Sequence, residues 1–308
     1  MSLVGIKELP RLLAHIDPTD RNTWLKVGMG IHAEFGEQGF TYWDGWAQGA
    51  PNYRAQDARA VWRSIHQGEV GFGTVVHLAK LGGWRPDPNA PRPSKEEIDA
   101  RTRRAEKVRR EAEAQRVERQ EKAAQRAQKL LSAASLEAGR HAYLVKKQVG
   151  AHGVNFDGYR LLIPMRAIEG RLWNLQCIDP RGGKRFLAGG RVTGLFHGIG
   201  RLVASTLVIC EGYATGATLY EETGHAVAVA FNAGNLKPVA QALRERYPEA
   251  SLILAADNDR HTPGNPGVAK AHEAALAVGG RVAVPEFDDD EPGTDWNDWH
   301  NNRREVAA

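Results

Sequence analysis

Leu207-Val208-Ile209-Cys210-Glu211-Gly212 and Leu252-Ile253-Leu254-Ala255-Ala256-Asp257-Asn258-Asp259 are the two stretches whose reading decides the fold. Each is a short, continuous apolar run that ends abruptly in acid, the pattern of a strand buried on both faces. Around them, helical patterns are predicted at 214–223, 237–246 and 267–278, with further apolar runs at 226–231 and 282–285. Strands alternating with helices need right-handed crossovers, so this region predicts an α/β domain, a parallel sheet flanked by helices on both faces. In such a sheet ligands bind outside the carboxyl ends of the strands. Glu211, Asp257 and Asp259 fall at those ends, and Gly212 is expected to let the chain turn sharply into the next helix.

The residue types suggest a chemistry. Asp257 and Asp259 alternate along an extended segment, which lets both carboxylates point the same way. Hard cations such as Mg²⁺ take carboxylate oxygens, with water and substrate phosphate completing the shell. Two such ions side by side suit phosphoryl transfer. Asp295 and Asp298, in Gly293-Thr294-Asp295-Trp296-Asn297-Asp298, follow the last strand and add candidate ligands. A lone Glu-Gly or a lone Asp-x-Asp is better explained as a helix cap or a surface loop; here both occur, in order, at strand-to-helix junctions. Asn232, in Asn232-Ala233-Gly234-Asn235 after the second parallel strand, reads equally as a substrate contact or as a turn.

Upstream, strands are predicted at 159–165 and 171–178, with a turn at 179–183, so a small β subdomain precedes the sheet. Before it, residues 94–139 form a long run of Glu, Lys, Arg, Gln and Ala with a Ser94/Glu97 capping box, which predicts one long charged helix. Between 94 and 130 it carries twelve Lys and Arg against eight Asp and Glu, which accounts for the whole net charge of +4. Its interleaved charges satisfy one another at i, i+4 spacing, so it reads as a solvated spacer. Four prolines lie between Arg85 and Pro93 and mark a domain boundary. Residues 9–84 are rich in Trp, Gly and His, with helices predicted at 20–34, 56–66 and 74–81. Ala58, Val61, Trp62 and Ile65 share one helical face. The aromatic residues here read first as core, and second as platforms for single-stranded bases.

At 308 residues the chain predicts two domains of ordinary soluble composition. No apolar stretch approaches the roughly 20 residues that span a bilayer, and the N-terminus has no signal or transit character, so cytoplasmic residence and no membrane contact are expected. The two cysteines, Cys177 and Cys210, sit in separate strand-like runs without zinc-site spacing, and no histidine is assigned to metal; no zinc is expected.

Glu211-Gly212-Tyr213-Ala214-Thr215-Gly216, followed by Asp257-Asn258-Asp259 with Gly267 and Ala269, resembles the Toprim domain of bacterial-type primases, topoisomerases and some nucleases. The resemblance covers about 205–301. It implies that Glu211 does acid/base or metal work and that Asp257 and Asp259 hold Mg²⁺, with Mn²⁺ as the alternative ion. Asp295 and Asp298 resemble the extra acidic segment of the primase branch. The stretch 161–190, with Arg181, Lys184 and Arg185, resembles the basic segment ahead of Toprim in primases, where guanidinium and ammonium groups meet phosphates. Arg181, Lys184, Arg185, Asn232 and Lys270 are the candidate contacts to nucleic acid and nucleotide.

Trp24, Gly28, Gly30, Trp43-Asp44-Gly45-Trp46, Trp62 and Gly71-Phe72-Gly73-Thr74 resemble the small helical C-terminal module of phage and plasmid primases, here placed ahead of Toprim. The expected layout is a helical module at 1–86, a proline-rich linker and charged helix at 87–140, a basic β subdomain at 141–204 and a Toprim domain at 205–308. The expected function is primase-like nucleotidyl transfer on single-stranded DNA, using nucleoside triphosphates, in a phage, plasmid or other mobile element. With no Walker A sequence, a separate replicative helicase is the expected partner. A Toprim nuclease and a non-catalytic nucleic-acid-binding accessory protein are the alternatives.

Overall fold

A computed structural model of the chain describes residues 4–65, 70–86, 95–202 and 205–307. The proline-rich stretch beyond Pro86, Ser94, the Glu97 side chain and His66 lie outside the described residues. The chain divides into two compact units, Met1–Gln115 and Arg116–Ala308.

The first unit is helical: α1 (Leu9–Leu13), α2 (Arg21–Phe35), α3 (Phe40–Ala47), α4 (Ala55–Ser64) and α5 (Phe72–Leu81), followed by the start of α6 (Lys95–Ala133). Asp20 caps α2 by accepting a hydrogen bond from the Thr23 N–H at 2.7 Å. Trp43 is fully buried, with Trp24, Phe40 and Trp62 packed around it. Gly28 is required beside it, because a Cβ there would stand 2.9 Å from the Trp43 ring. Trp43 and Trp62 are therefore core, as first expected, whereas Trp24 and Trp46 remain half-buried. Sequence periodicity missed α1 and α3, the latter because Gly45 interrupts its short aromatic run.

The second unit starts inside α6. Its solvent-facing side is charged, but Ala127, Leu130 and Leu131 pack on Leu162, Leu172, Leu175 and Cys177. The expected spacer is thus a packed element over its last turns, and it stops at Ala133 instead of running to Gly139. A short helix, α7 (Ala142–Lys147), leads into an antiparallel meander in spatial order: β1 (Asn155–Phe156), β2 (Leu161–Arg166), β3 (Leu172–Ile178) and β4 (Lys184–Phe186). The remaining elements are β5 (His197–Ile199), β6 (Thr206–Cys210), α8 (Tyr213–Thr223), β7 (Ala226–Val229), α9 (Ala233–Arg246), β8 (Ser251–Ala255), α10 (Pro266–Val278), β9 (Arg281–Ala283) and α11 (Trp296–Ala307).

The second sheet has the order β5-β7-β6-β8-β9. Its last four strands in chain order are parallel, as predicted; β5, unforeseen, adds an antiparallel edge against β7. Alternation along β6 divides the core. Leu207 and Ile209 face α9 and α10, packing with Leu236, Val239, Ala271 and Ala274, whereas Val208 and Cys210 face α8 with Tyr213, Ala214 and Ala217. The chain leaves β6 for β7 on one side and then crosses to β8 on the other, so the carboxyl ends of β6 and β8 flank a topological switch point. Among the described residues no helix is long and apolar enough to cross a membrane.

Replacing Trp43 by Ala empties the centre of the helical unit and is expected to cost about 3–5 kcal/mol, measured as a lower denaturation midpoint by far-ultraviolet circular dichroism.

Candidate functional site

Register sets the site. Cys210 lies opposite Ala255 in the parallel β6–β8 pair, so Glu211 leaves the sheet beside Ala256, one residue before Asp257. Adjacent strands are only about 4.8 Å apart. Two carboxylates at that spacing, partly buried, repel each other and are starved of water. Burial first, and then the charge of Asp259, push the Glu211 carboxyl up to about 7. Burial, then Glu211, Asp295 and Asp259, push Asp257 up to about 8, with Lys184 pulling the other way. The neighbouring Cys210 thiol is pushed well up by burial and then by Asp257, Glu211 and Asp295. Glu211 Oε1 and Asp257 Oδ1 are buried and accept no hydrogen bond.

Asparagines and backbone amides hold the acids in place. Asn258 donates from its N–H to Thr294 O at 2.7 Å and from Nδ2 to Pro285 O at 3.0 Å, and its Oδ1 accepts from Asn265 Nδ2 at 2.9 Å. Asn265, at φ 40°, accepts from the Asp259 N–H at 2.9 Å and caps α10. Asp259 Oδ2 accepts from the Gly267 N–H at 3.1 Å. A Cβ on Gly267 would stand 2.5 Å from Asp257 O, so the first turn of α10 rests directly on the Asp257–Asp259 backbone. Gly212 is different: at φ −99°, ψ 150° it adopts a conformation open to any residue, and the sharp-turn role expected for it is not needed.

The structure adds groups that the sequence did not single out. Helix α7 brings Lys147 and Tyr143 to the acids. Lys147 Nζ donates to Asp298 Oδ1 at 2.8 Å and stands 3.8 Å from Asp295. Burial lowers the Lys147 pKa, but Asp295 and Asp298 outweigh it and hold the ammonium above its usual range. The Tyr143 hydroxyl is buried without a partner, and burial and Asp295 drive its pKa up. Fully buried Asn297 fixes α7 by donating from Nδ2 to Lys147 O at 2.7 Å and to Thr218 Oγ1 at 2.9 Å. The signal in the sequence was slight: two lysines at the end of a six-residue helix.

The remaining candidates divide. Lys184 acts on Asp257 and lies 5.8 Å from the Tyr143 ring centroid. Phe186, on the same face of β4 by alternation, packs edge-on against Phe231 at the end of the second parallel strand. Arg185 alternates to the opposite face of β4, and Arg181 lies exposed in the turn that Asp179 caps. Both oxygens of Asp298 are engaged, one by Lys147 and one by the Thr294 N–H, and Asp295 caps α11 by accepting from the Asp298 N–H at 2.9 Å. Asp298 is therefore a structural acid in this arrangement, while Asp295 still adds its charge to the cluster. The Asn232 side chain is spent on capping α9, accepting from the Asn235 N–H at 3.0 Å. Lys270 sits on the exposed face of α10, paired with Glu273 at 2.7 Å, and does not serve the carboxylates.

Among the described residues no three His, Cys, Asp or Glu side chains already stand at metal-binding separation. The donor set nevertheless suits a hard cation: oxygen ligands only, two of them buried and unpartnered, in a cluster whose mutual repulsion a positive ion relieves. Cys177 and Cys210 are buried and unpaired.

The raised carboxyls fix a pH dependence. The folded state binds protons at Glu211 and Asp257 that the unfolded chain has released, so their contribution to stability is present below about pH 4 and lost as pH rises through about 7 and about 8. Asp257→Asn removes most of that slope. Without divalent cations its Tm at pH 8 is expected to exceed that of the parent by at least about 2–4 °C, and the gap is expected to narrow steadily as pH falls and to close only below about pH 4; differential scanning calorimetry reads both. Gly267→Ala is expected to cost about 1–3 kcal/mol in urea unfolding, because its methyl must displace the Asp257 carbonyl.

Comparison with known proteins agrees with this architecture. Residues 9–79 match the family described as Primase C terminal 2 (PriCT-2), and residues 206–305 match the Toprim domain. Two curated proteins of Escherichia coli, both described as DNA primase TraC, are 44% identical to this chain in an alignment 156 residues long that covers 47% of it. The match spans 15% and 11% of the length of those relatives. Among solved structures, the primase fragment of the bacteriophage T7 primase-helicase protein aligns over 55% of this chain and 73% of that one, at 19% identity and a TM-score of 0.41. A complex of bacteriophage T7 lagging-strand DNA polymerase with primase domains aligns over 53% and 86%, at 18% identity and a TM-score of 0.39. The chain thus carries a Primase C terminal 2 module at residues 9–79 and a Toprim domain at residues 206–305.

Proposed function

We propose that the chain is a primase-like nucleotidyltransferase that joins nucleotides on a single-stranded DNA template, with Glu211, Asp257 and Asp259 as its catalytic carboxylates. The observation that carries this reading is the unmet demand for positive charge at Glu211 and Asp257: Oε1 of the first and Oδ1 of the second are buried without a hydrogen-bond partner among the described residues, and burial and neighbouring acids push the two carboxyls up to about 7 and about 8. Toprim domains typically bind divalent metal. Bound there, Mg²⁺ or Mn²⁺ would neutralise phosphate charge and lower the pKa of an attacking hydroxyl.

The chain's own residues supply the rest. Glu211, Asp257 and Asp259 would hold the cation, with Asp295 adding charge from the rim. The Glu211 carboxylate is also suited to accepting a proton from a sugar hydroxyl. Lys184 is the basic group best placed to meet substrate phosphate beside the acids, and Arg181 and Arg185 extend positive charge along β4 and its turn. Lys147 neutralises Asp295 and Asp298 and keeps the C-terminal segment against α7. Template, nucleoside triphosphates and a separate helicase are the partners this reading requires. It also accords with the names of the matched relatives, DNA primase TraC.

The test is incubation with single-stranded DNA, labelled ribo- and deoxynucleoside triphosphates and Mg²⁺ or Mn²⁺, beside an Asp257→Ala/Asp259→Ala variant. The expected result is short labelled products, reduced by at least about 10²-fold in the variant. Template shortened by the parent and not by the variant would make the protein a nuclease, and intact DNA that is bound but neither copied nor cut would make it an accessory protein.

A further inference from the structure

The helical unit contains a cavity that the carboxylate site does not explain. It has a volume of about 80 Å³ and lies where the starts of α2 and α4 meet the end of α3. Ala47, Ala50 and Ala58 form its buried floor, Trp24 and Tyr53 are half-buried aromatic walls, and Arg21, Arg54 and Asp57 stand exposed at its rim. The walls are fixed. Trp24 stacks on the buried Trp43 with ring centroids 4.5 Å apart, and the Tyr53 hydroxyl donates to Asp44 Oδ1 at 2.8 Å.

The rim is under-used. Neither the Arg21 nor the Arg54 guanidinium makes a hydrogen bond or an ion pair with any described residue. Two guanidiniums against one carboxylate leave the rim with a net positive charge. Guanidinium pairs recognise phosphate by charge-assisted, forked hydrogen bonds. The Asp57 carboxylate, repelled by phosphate, is an acceptor for a sugar hydroxyl or an exocyclic amine, and the indole of Trp24 offers an apolar surface to a base. The enclosed space suits a phosphate group, and the open mouth leaves room for the sugar and base to lie across the rim. Cation pair, acceptor and aromatic wall in one small cavity match the three parts of a nucleotide.

We infer that this cavity binds one phosphate-bearing nucleotide unit, its phosphate held by Arg21 and Arg54 and its base or sugar set against Trp24 and Asp57. All of these groups belong to the helical unit, so the inference stands apart from the reading of Glu211, Asp257 and Asp259. The same chemistry has two sources, a free nucleotide and a phosphodiester in a single strand.

The experiment distinguishes them. The full chain, in EDTA, is titrated with ATP and, separately, with a fluorescein-labelled oligothymidylate of about four residues, for the parent, an Arg21→Gln/Arg54→Gln variant and an Arg59→Gln control. Arg59 is a cation of the same unit that rests on the Phe40 ring, 5.3 Å from its centroid, and does not line the cavity. The double variant is expected to bind at least one ligand about tenfold or more weakly, while the control stays within about twofold. Loss confined to ATP identifies a free nucleotide, and loss confined to the oligonucleotide identifies a strand. Affinities equal to those of the control for both ligands, or no binding of either by the parent at millimolar concentration, would overturn the inference. Because both substituted positions are exposed, unchanged circular dichroism is expected to accompany the loss.

Discussion

Everything at the site depends on like charges held side by side. The parallel register that pairs Cys210 with Ala255 delivers Glu211 and the Asp257–Asp259 segment to one edge of the sheet. The same register that makes a good hydrophobic core between β6 and β8 thus creates electrostatic repulsion just beyond it. A fold tolerates this where something outside the chain relieves the repulsion, and perturbed carboxyls grouped at a topological switch point are the physical mark of such a place.

The surrounding structure concentrates the charge and keeps it from dispersing. Asn258 and Asn265 lock the loop between the strand and α10, and Gly267 lets that helix close onto it. On the other flank, Asn297 ties α7 to α8 and α11, setting Lys147 against Asp295 and Asp298. One end of the acidic cluster is thereby neutralised from within. At the other end Glu211 Oε1 and Asp257 Oδ1 are left without a hydrogen-bond partner among the described residues, and Lys184 of the meander pulls the Asp257 carboxyl down against the surrounding acids. The candidate edge is assembled from separate parts of the second unit, and asparagine hydrogen bonds hold two of them, the loop after β8 and helix α7.

Much of this was legible in the sequence because strands buried on both faces write themselves as unbroken apolar runs, and the acids stand directly after them. The same argument fails where the local pattern is weak. His197-Gly198-Ile199 is too short and mixed to announce an edge strand, and α11 opens on Trp296-Asn297-Asp298, a polar stretch that reads as loop. Helix α7 has six residues, and its position is set by a hydrogen bond from Asn297, far along the chain. Three of the candidate residues have local partners that sequence reasoning missed. Asn232 caps α9, Lys270 pairs with Glu273 one turn away, and Asp298 is taken up by Lys147 and Thr294. The i, i+3 spacing of Lys270 and Glu273 was visible in the sequence and is the signal of that pairing.

The account's central claim is that Glu211 and Asp257 form one cation-hungry pair. Electron paramagnetic resonance of added Mn²⁺ tests it most directly, by counting bound ion for the parent, Glu211→Ala and Asp257→Ala at pH 8. Binding by the parent that Mg²⁺ displaces, and that each substitution weakens by about tenfold or more, is the predicted result. Equal Mn²⁺ binding by all three proteins would contradict it.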